Sequence, residues 1–241
     1  MSRHSKWSKV KQFKGAVDAK RAASFTKLAR ELTVAAREKG PDPAFNVRLR
    51  MAIERAKKGL MPKENIERAI RRGSGEGGKE GRIEELTYEA YGPVGSALII
   101  ECLTDNRNRA VAEVKHVLTK KGGRFAEPGS VAHLFHRKGV IRIEDGIPAD
   151  KREDAELELI DAGALDITDD ESAIEIQTQA ADLMKIAEVA EKLGLNIESA
   201  NMEWIPKMPL DVAEDTGMKV EELIEALEES DDVQRVYSNL A

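Results

Sequence analysis

A single cysteine, Cys102, stands in the whole chain, and aromatic residues make up only 4% of it. One thiol forms no intramolecular disulfide, so a disulfide scaffold is excluded and a reducing compartment is the natural setting. No stretch reaches the roughly 20 apolar residues that a membrane helix needs, and the N-terminus lacks the apolar core of a secretory signal. The chain therefore reads as cytoplasmic, with no membrane partner. Catalytic signatures are equally scarce. There is no Gly-x-Ser-x-Gly elbow, and Cys102, inside the apolar run 97–103, has no neighbour in sequence that would ionise it. His133 and His136 fall three apart in a segment that reads as a strand, where they would point to opposite faces, without Cys or acids at ligand spacing. The acidic runs Asp169-Asp170-Glu171 and Asp231-Asp232 border turns, where solvated caps are the ordinary reading. No enzyme, metal or cofactor is expected.

What the chain does have is charge, unevenly placed. Residues 3–72 hold 20 Lys and Arg against 7 Asp and Glu, which leaves 18 basic and 37 acidic residues elsewhere. The formal net charge of −6 thus conceals two halves of opposite sign. Such an asymmetry points to a polyanionic partner for the basic end. With 34% charged and 41% apolar residues over 241 positions, several small cores are favoured over one large one.

Residues 2–14 interleave Lys6, Lys9, Lys11 and Lys14 with Trp7 and Phe13 and offer too little apolar surface to fold alone. The lysines suit phosphates, while Trp7 would either stack on a base or pin the arm to the following helices. Phe25, Leu28, Leu32 and Ala35 then recur at helical spacing up to Gly40-Pro41. A second helix is expected with Asp42 as N-cap and Phe45, Leu49, Ile53 and Ala56 inward, and a third from Pro62 to Gly73. The outer faces of this bundle carry Lys20, Arg21, Lys27, Arg30, Arg48 and Arg50 among others. Residues 74–82, half of them glycine or serine, read as a flexible linker that frees the helical region to move. Gly77-Gly78-Lys79 is no phosphate loop, because no strand precedes it and Glu80 stands where Ser or Thr should ligate a metal.

After the linker the period becomes that of strands. Strands at 86–90 and 97–103, a helix opened by residues 105–109, and extended pieces including 131–135 give half of a β-α-β-β-α-β unit. A complete unit follows at 137–205. The tail then supplies a helix, with Val220, Leu223, Ile224 and Leu227 on one face, and a strand near 233–237. These are the elements the first unit lacked. The expected fold is therefore α+β and multidomain: a basic arm and helical domain at 1–73, the linker at 74–82, a discontinuous ferredoxin-like domain at 83–136 and 206–241, and an acidic ferredoxin-like domain inserted at 137–205. No dimer seam is legible, and the chain reads as a monomer. Outside the helical region one segment invites a ligand: Asn106, Arg107, Asn108 and Arg109 combine free N–H groups, amides and guanidinium forks suited to phosphate or carboxylate. A plain helix cap with surface arginines explains them equally.

The runs His4-Ser5-Lys6-Trp7, Phe25-Thr26-Lys27-Leu28, Arg48-Leu49-Arg50, Met61-Pro62-x-Glu64-Asn65-Ile66-Glu67-Arg68-Ala69-Ile70, Tyr88-Glu89-x-Tyr91-Gly92-Pro93, Thr104-Asp105-Asn106-Arg107-Asn108-Arg109 and Asp231-Asp232-Val233 occur in this order. Together they resemble the YebC/PmpR family, which also includes the mitochondrial translational activator of cytochrome c oxidase subunit I. The resemblance implies three domains around a cleft and a role in gene expression without catalysis. Members have been described as DNA-binding transcriptional regulators, and others as ribosome-associated factors that help translation through proline-rich stretches. The contacts it implies are the basic N-terminal residues and the turn at 106–109.

DNA and ribosomal RNA are thus the two candidate partners, the ribosome among them. A sequence-reading factor would present a recognition helix and usually a two-fold dimer. Distributed basic contacts, a mobile connection and an acidic body suit irregular RNA better. A metabolite-sensing role rests on fold analogy alone. Replacing Lys6, Lys9, Lys11 and Lys14 with Ala is expected to weaken nucleic-acid binding and flatten its dependence on log salt by about 3 for a single strand. Melting temperature should stay as it is; unchanged affinity in a binding titration would remove the arm from the contact.

Overall fold

In chain order the elements are α1 (Val17–Lys39), α2 (Val47–Lys58), α3 (Lys63–Gly73), β1 (Glu84–Tyr91), β2 (Ala97–Thr104), α4 (Arg107–Lys120), β3 (Arg124–Ala126), β4 (Phe135–Ile143), α5 (Arg152–Ala162), β5 (Ala164–Asp170), β6 (Ala173–Thr178), α6 (Leu183–Lys192), β7 (Ile197–Pro206), α7 (Glu214–Glu228) and β8 (Val233–Ser238). This computed structural model describes residues 17–75, 82–144, 146–148, 151–170 and 173–241, with the side chains of 17–23, 170 and 173 outside the description. The expected arm at 2–14 and most of the expected linker lie outside it too.

The first three helices pack on small residues. Leu32, Ala35, Ala36, Leu49, Ala52, Ala56, Met61, Ile66 and Ala69 form their core. Alanines let the axes approach closely, and Gly73 is needed at the α1–α3 crossing, because a Cβ there would overlap the Thr33 carbonyl. Thr33 Oγ1 also donates to the Ala69 carbonyl across this contact, at 3.1 Å. The start of α2 differs from expectation. Asn46, not Asp42, is its N-cap, accepting from the Leu49 N–H at 3.0 Å. Phe45 therefore precedes the helix, misses its inner face, and is 84% exposed rather than buried.

Residues 17–135 and 206–241, so far as described, belong to one compact unit. Its sheet has the order β3-β1-β2-β8, antiparallel throughout. The apolar run of β2 lies at the centre, and Leu98, Ile100 and Cys102 pack with Val114, Leu118, Val220, Leu223 and Leu227 from α4 and α7. The C-terminal strand β8 pairs with β2, closing the sheet from the far end of the chain. On the opposite side, Val34 of α1 joins Ile83 and Leu103 in a small buried cluster, and Arg37 donates to the Ile83 carbonyl at 2.5 Å. The helices are thus attached to the sheet by packing, whatever freedom the Gly-rich stretch has.

Residues 136–205 form the other unit, a sheet of order β5-β6-β4-β7 with helices α5 and α6. Ile141, Ile143, Leu159, Ile174, Ile176 and Ile186 are its fully buried side chains. This is the ferredoxin-like order of one β-α-β-β-α-β run. The first sheet has the same arrangement with one difference. Its place between the edge and first strands, held here by β6, is filled by β1, which comes earliest in the chain. The segment 131–135 is likewise not one strand: Ala132–Leu134 is a 3-10 turn, which contains His133, and His136 follows in β4.

A buried acid anchors the turn before β4. Glu89 of β1 accepts from the N–H groups of Gly129 (2.6 Å), Val131 (2.6 Å) and Ala132 (2.9 Å). Burial alone would push this carboxyl up, but the three N–H groups prevail and hold it below the usual glutamate value. A carboxyl whose pKa is lower folded than unfolded stabilises the fold above its unfolded pKa, and that contribution disappears as pH falls through the folded value. Glu89→Gln is expected to cost about 1–3 kcal/mol near neutral pH. In denaturant titrations the gap to the native chain should narrow below about pH 4.3; a gap independent of pH would show that the charge is immaterial.

Candidate nucleic-acid interface

Asp232 occupies the turn between α7 and β8 and is 1% exposed. An isolated carboxylate there would lose its hydration at a cost of several kcal/mol, so it requires partners. Two guanidinium groups supply them. Arg109, in the first turn of α4, grips it with both prongs, Nε to Oδ2 at 2.9 Å and Nη2 to Oδ1 at 2.8 Å. Arg30 of α1 reaches Oδ1 at 2.8 Å and also donates to the Asp231 carbonyl. Arg109 further bonds Asp105 at 2.9 Å. These hydrogen bonds, to Asp232 first and Asp105 second, raise the Arg109 pKa above its ordinary value. Beside them Lys27 donates to the Glu228 carbonyl. Its burial lowers its pKa, opposed by Glu228 and Asp231. Cys102 lies next to this group, its thiol pushed up to about 12 by burial and then by Asp232, which disfavours the thiolate.

Three of the expected nucleic-acid contacts, Lys27, Arg30 and Arg109, are thus brought together, but by partners in the same chain: Asp232 for the two arginines and the Glu228 carbonyl for Lys27. Asp232 is no solvated cap, contrary to expectation; its neighbours in sequence gave no sign of partners from α1 and α4. Arg48 is similarly engaged, with Glu38 at 2.6 Å and Glu85 at 3.6 Å; burial disfavours its charge, yet the acids, Glu38 foremost, raise its pKa. Arg50 donates to the Pro43 carbonyl at 3.2 Å. Asn106 caps α4 by accepting from the Arg109 N–H at 3.1 Å, while Arg107 and Asn108 are exposed on its first turn. Lys6, Trp7, Lys9, Lys11 and Lys14 lie outside the described residues, as do the side chains of Lys20 and Arg21, although both of these stand in α1.

The helical surface retains other cations. Lys39 at the end of α1, and Arg68 and Arg71 one turn apart on α3, are exposed and carry no ion pair among the described residues. By contrast, residues 136–205 hold 18 acidic and 7 basic residues. Among the described residues no group of His, Cys, Asp or Glu is arranged to hold a metal, and no helix is long and apolar enough to cross a membrane.

The arginines at the head of α4 should therefore separate in a thermal melt. Arg109→Ala is expected to cost about 1–3 kcal/mol, moderated by its partial exposure, and Asp232→Ala at least as much, since it removes the acceptor that two guanidinium groups share. Arg107→Ala should stay within about 0.5 kcal/mol of the native chain. Equal losses for both arginines would contradict the division of roles.

Comparison with known proteins places this geometry. Residues 5–76 match the family model described as the TACO1/YebC protein N-terminal domain, and residues 83–240 match that of the TACO1/YebC second and third domain. A probable transcriptional regulatory protein of Persephonella marina is 51% identical over 99% of this chain and 95% of its own length. Another so named, from Dehalococcoides mccartyi, is 47% identical over 99% and 94%. The crystal structure of a conserved hypothetical protein from Aquifex aeolicus is 44% identical and superposes with a TM-score of 0.85 over 98% of this chain and 97% of that one. With both models together spanning nearly its whole length, the chain belongs to the TACO1/YebC family.

Proposed function

We propose that the chain is a non-enzymatic, cytoplasmic regulator of gene expression that binds nucleic acid through its helical region, with RNA on the ribosome as the target. The observation that carries this is the partition of charge: 20 basic against 7 acidic residues in positions 3–72, with Lys39, Arg68 and Arg71 exposed and without an ion pair among the described residues, unlike Arg30, Arg48 and Arg109. Cations spread over several helices and an arm suit an irregular RNA surface, which is recognised by shape and phosphate spacing. The acidic remainder repels the same polyanion and confines contact to the basic residues. Arg107 and Asn108, free of the Asp232 group, extend the contact to the start of α4.

A second reading is favoured by the relatives' names as probable transcriptional regulatory proteins: a regulator of transcription, acting on this reading through duplex DNA. It needs base-edge readout in the major groove, and hence affinity that depends strongly on sequence. Cosedimentation with ribosomes at two salt concentrations, with duplex DNA binding in parallel, separates the two. The proposal expects salt-sensitive ribosome association and weak, sequence-independent DNA binding. Tight discrimination among DNA sequences without ribosome association would establish the other reading.

A further inference from the structure

Among the described residues no large hydrophobic side chain is more exposed than Phe45, at 84%. It does not hang from a loose loop. The turn from Gly40 to Asn46 is fastened at both ends by Asn46, which is itself fully buried: its Nδ2 donates to the carbonyls of Ala35 at 2.7 Å and Gly40 at 2.8 Å, and its Oδ1 caps α2. Inside the turn, Asp42 Oδ1 accepts from the Ala44 N–H at 2.9 Å and the Asp42 carbonyl from the Phe45 N–H at 3.2 Å. Pro41 and Pro43 fix two more φ angles. Gly40 takes φ +89 with open space around it, so the chain leaves α1 without strain. The result is a short, rigid projection that presents an aromatic ring to solvent, with its ordering entropy already spent.

Its surroundings identify the ligand. Arg50 bonds the Pro43 carbonyl at the base of the projection, and Lys39, exposed and without an ion pair among the described residues, stands one residue before Gly40. An exposed aromatic ring with a cation on the same short stretch of chain is an arrangement by which proteins hold single strands: the ring stacks on a base, whichever base it is, while the cation, here Lys39, meets a phosphate. We infer that Phe45 is a stacking platform for an unpaired nucleobase, so that the helical region binds single-stranded RNA in preference to duplex. This rests on the nucleic-acid reading above and specifies its target as unpaired nucleotides. The ring contributes no charge, so it sets affinity without altering salt dependence.

The test measures fluorescence anisotropy of a labelled, unstructured RNA oligonucleotide and of the same sequence as a duplex, against the full chain and its Phe45→Ala, Phe45→Leu and Phe45→Trp variants. All should melt at the native temperature, because the side chain touches no core. The expected result is about ten-fold weaker single-strand binding for Phe45→Ala, little better for Phe45→Leu, native affinity or tighter for Phe45→Trp, and no change for duplex or in the salt slope. Native single-strand affinity in Phe45→Ala would overturn the inference while leaving the nucleic-acid reading intact. Full recovery in Phe45→Leu would overturn stacking and make the projection an apolar plug for a protein pocket. Failure of the native chain to bind either nucleic acid would overturn both readings.

Discussion

The carboxylate of Asp232 joins three stretches of chain that lie far apart in sequence: α1, the head of α4 and the turn into β8. It lies 123 residues from Arg109 and still further from Arg30, and it receives both. Because it is buried, its demand for partners is fixed by desolvation and not by surface attraction, and salt screens it weakly. Its backbone takes part as well, since the Asp232 carbonyl accepts from the Leu103 N–H at 2.9 Å. Through this one residue the first helix, the head of α4 and the turn into the last strand are set in register.

That constraint redistributes the positive charge which dominates the first 72 residues. Cations that look available in sequence are spent inside the molecule when their side chains reach a buried acid, as with Arg30 and Arg109, or a backbone carbonyl, as with Lys27. Lys39, Arg68 and Arg71, by contrast, are exposed and carry no ion pair among the described residues. The same residue type thus stands in two settings that differ in salt sensitivity: charges at the surface are screened by salt, whereas the Asp232 group is screened weakly.

Much of the fold was legible from local pattern. The apolar run of β2, the cap at Asn106, the single apolar face of α7 and the whole second sheet each follow from spacing within about ten residues, which is the range that periodicity reads. The return of β8 to complete the first sheet could be argued because the first unit was visibly short of a helix and a strand. The Asp232 contacts could not, since no local signal links positions 30, 109 and 232. Phe45 differs from its sequence expectation for a simpler reason: helical spacing extends backward from Leu49 to Phe45, and only the geometry of Asn46 shows that the helix begins after it. His133 fell in a 3-10 turn where an apolar stretch had read as strand. For the candidate interface, sequence identified the basic end but not the division between structural and available cations.

The most direct test is the slope of log binding constant against log salt for an unstructured RNA, compared between the native chain and a variant with Lys39, Arg68 and Arg71 all replaced by Ala. The account predicts a slope shallower by about 2, at about 0.7 per phosphate contact, with an unchanged melting temperature. An unchanged slope would contradict it, placing the contact elsewhere on the molecule.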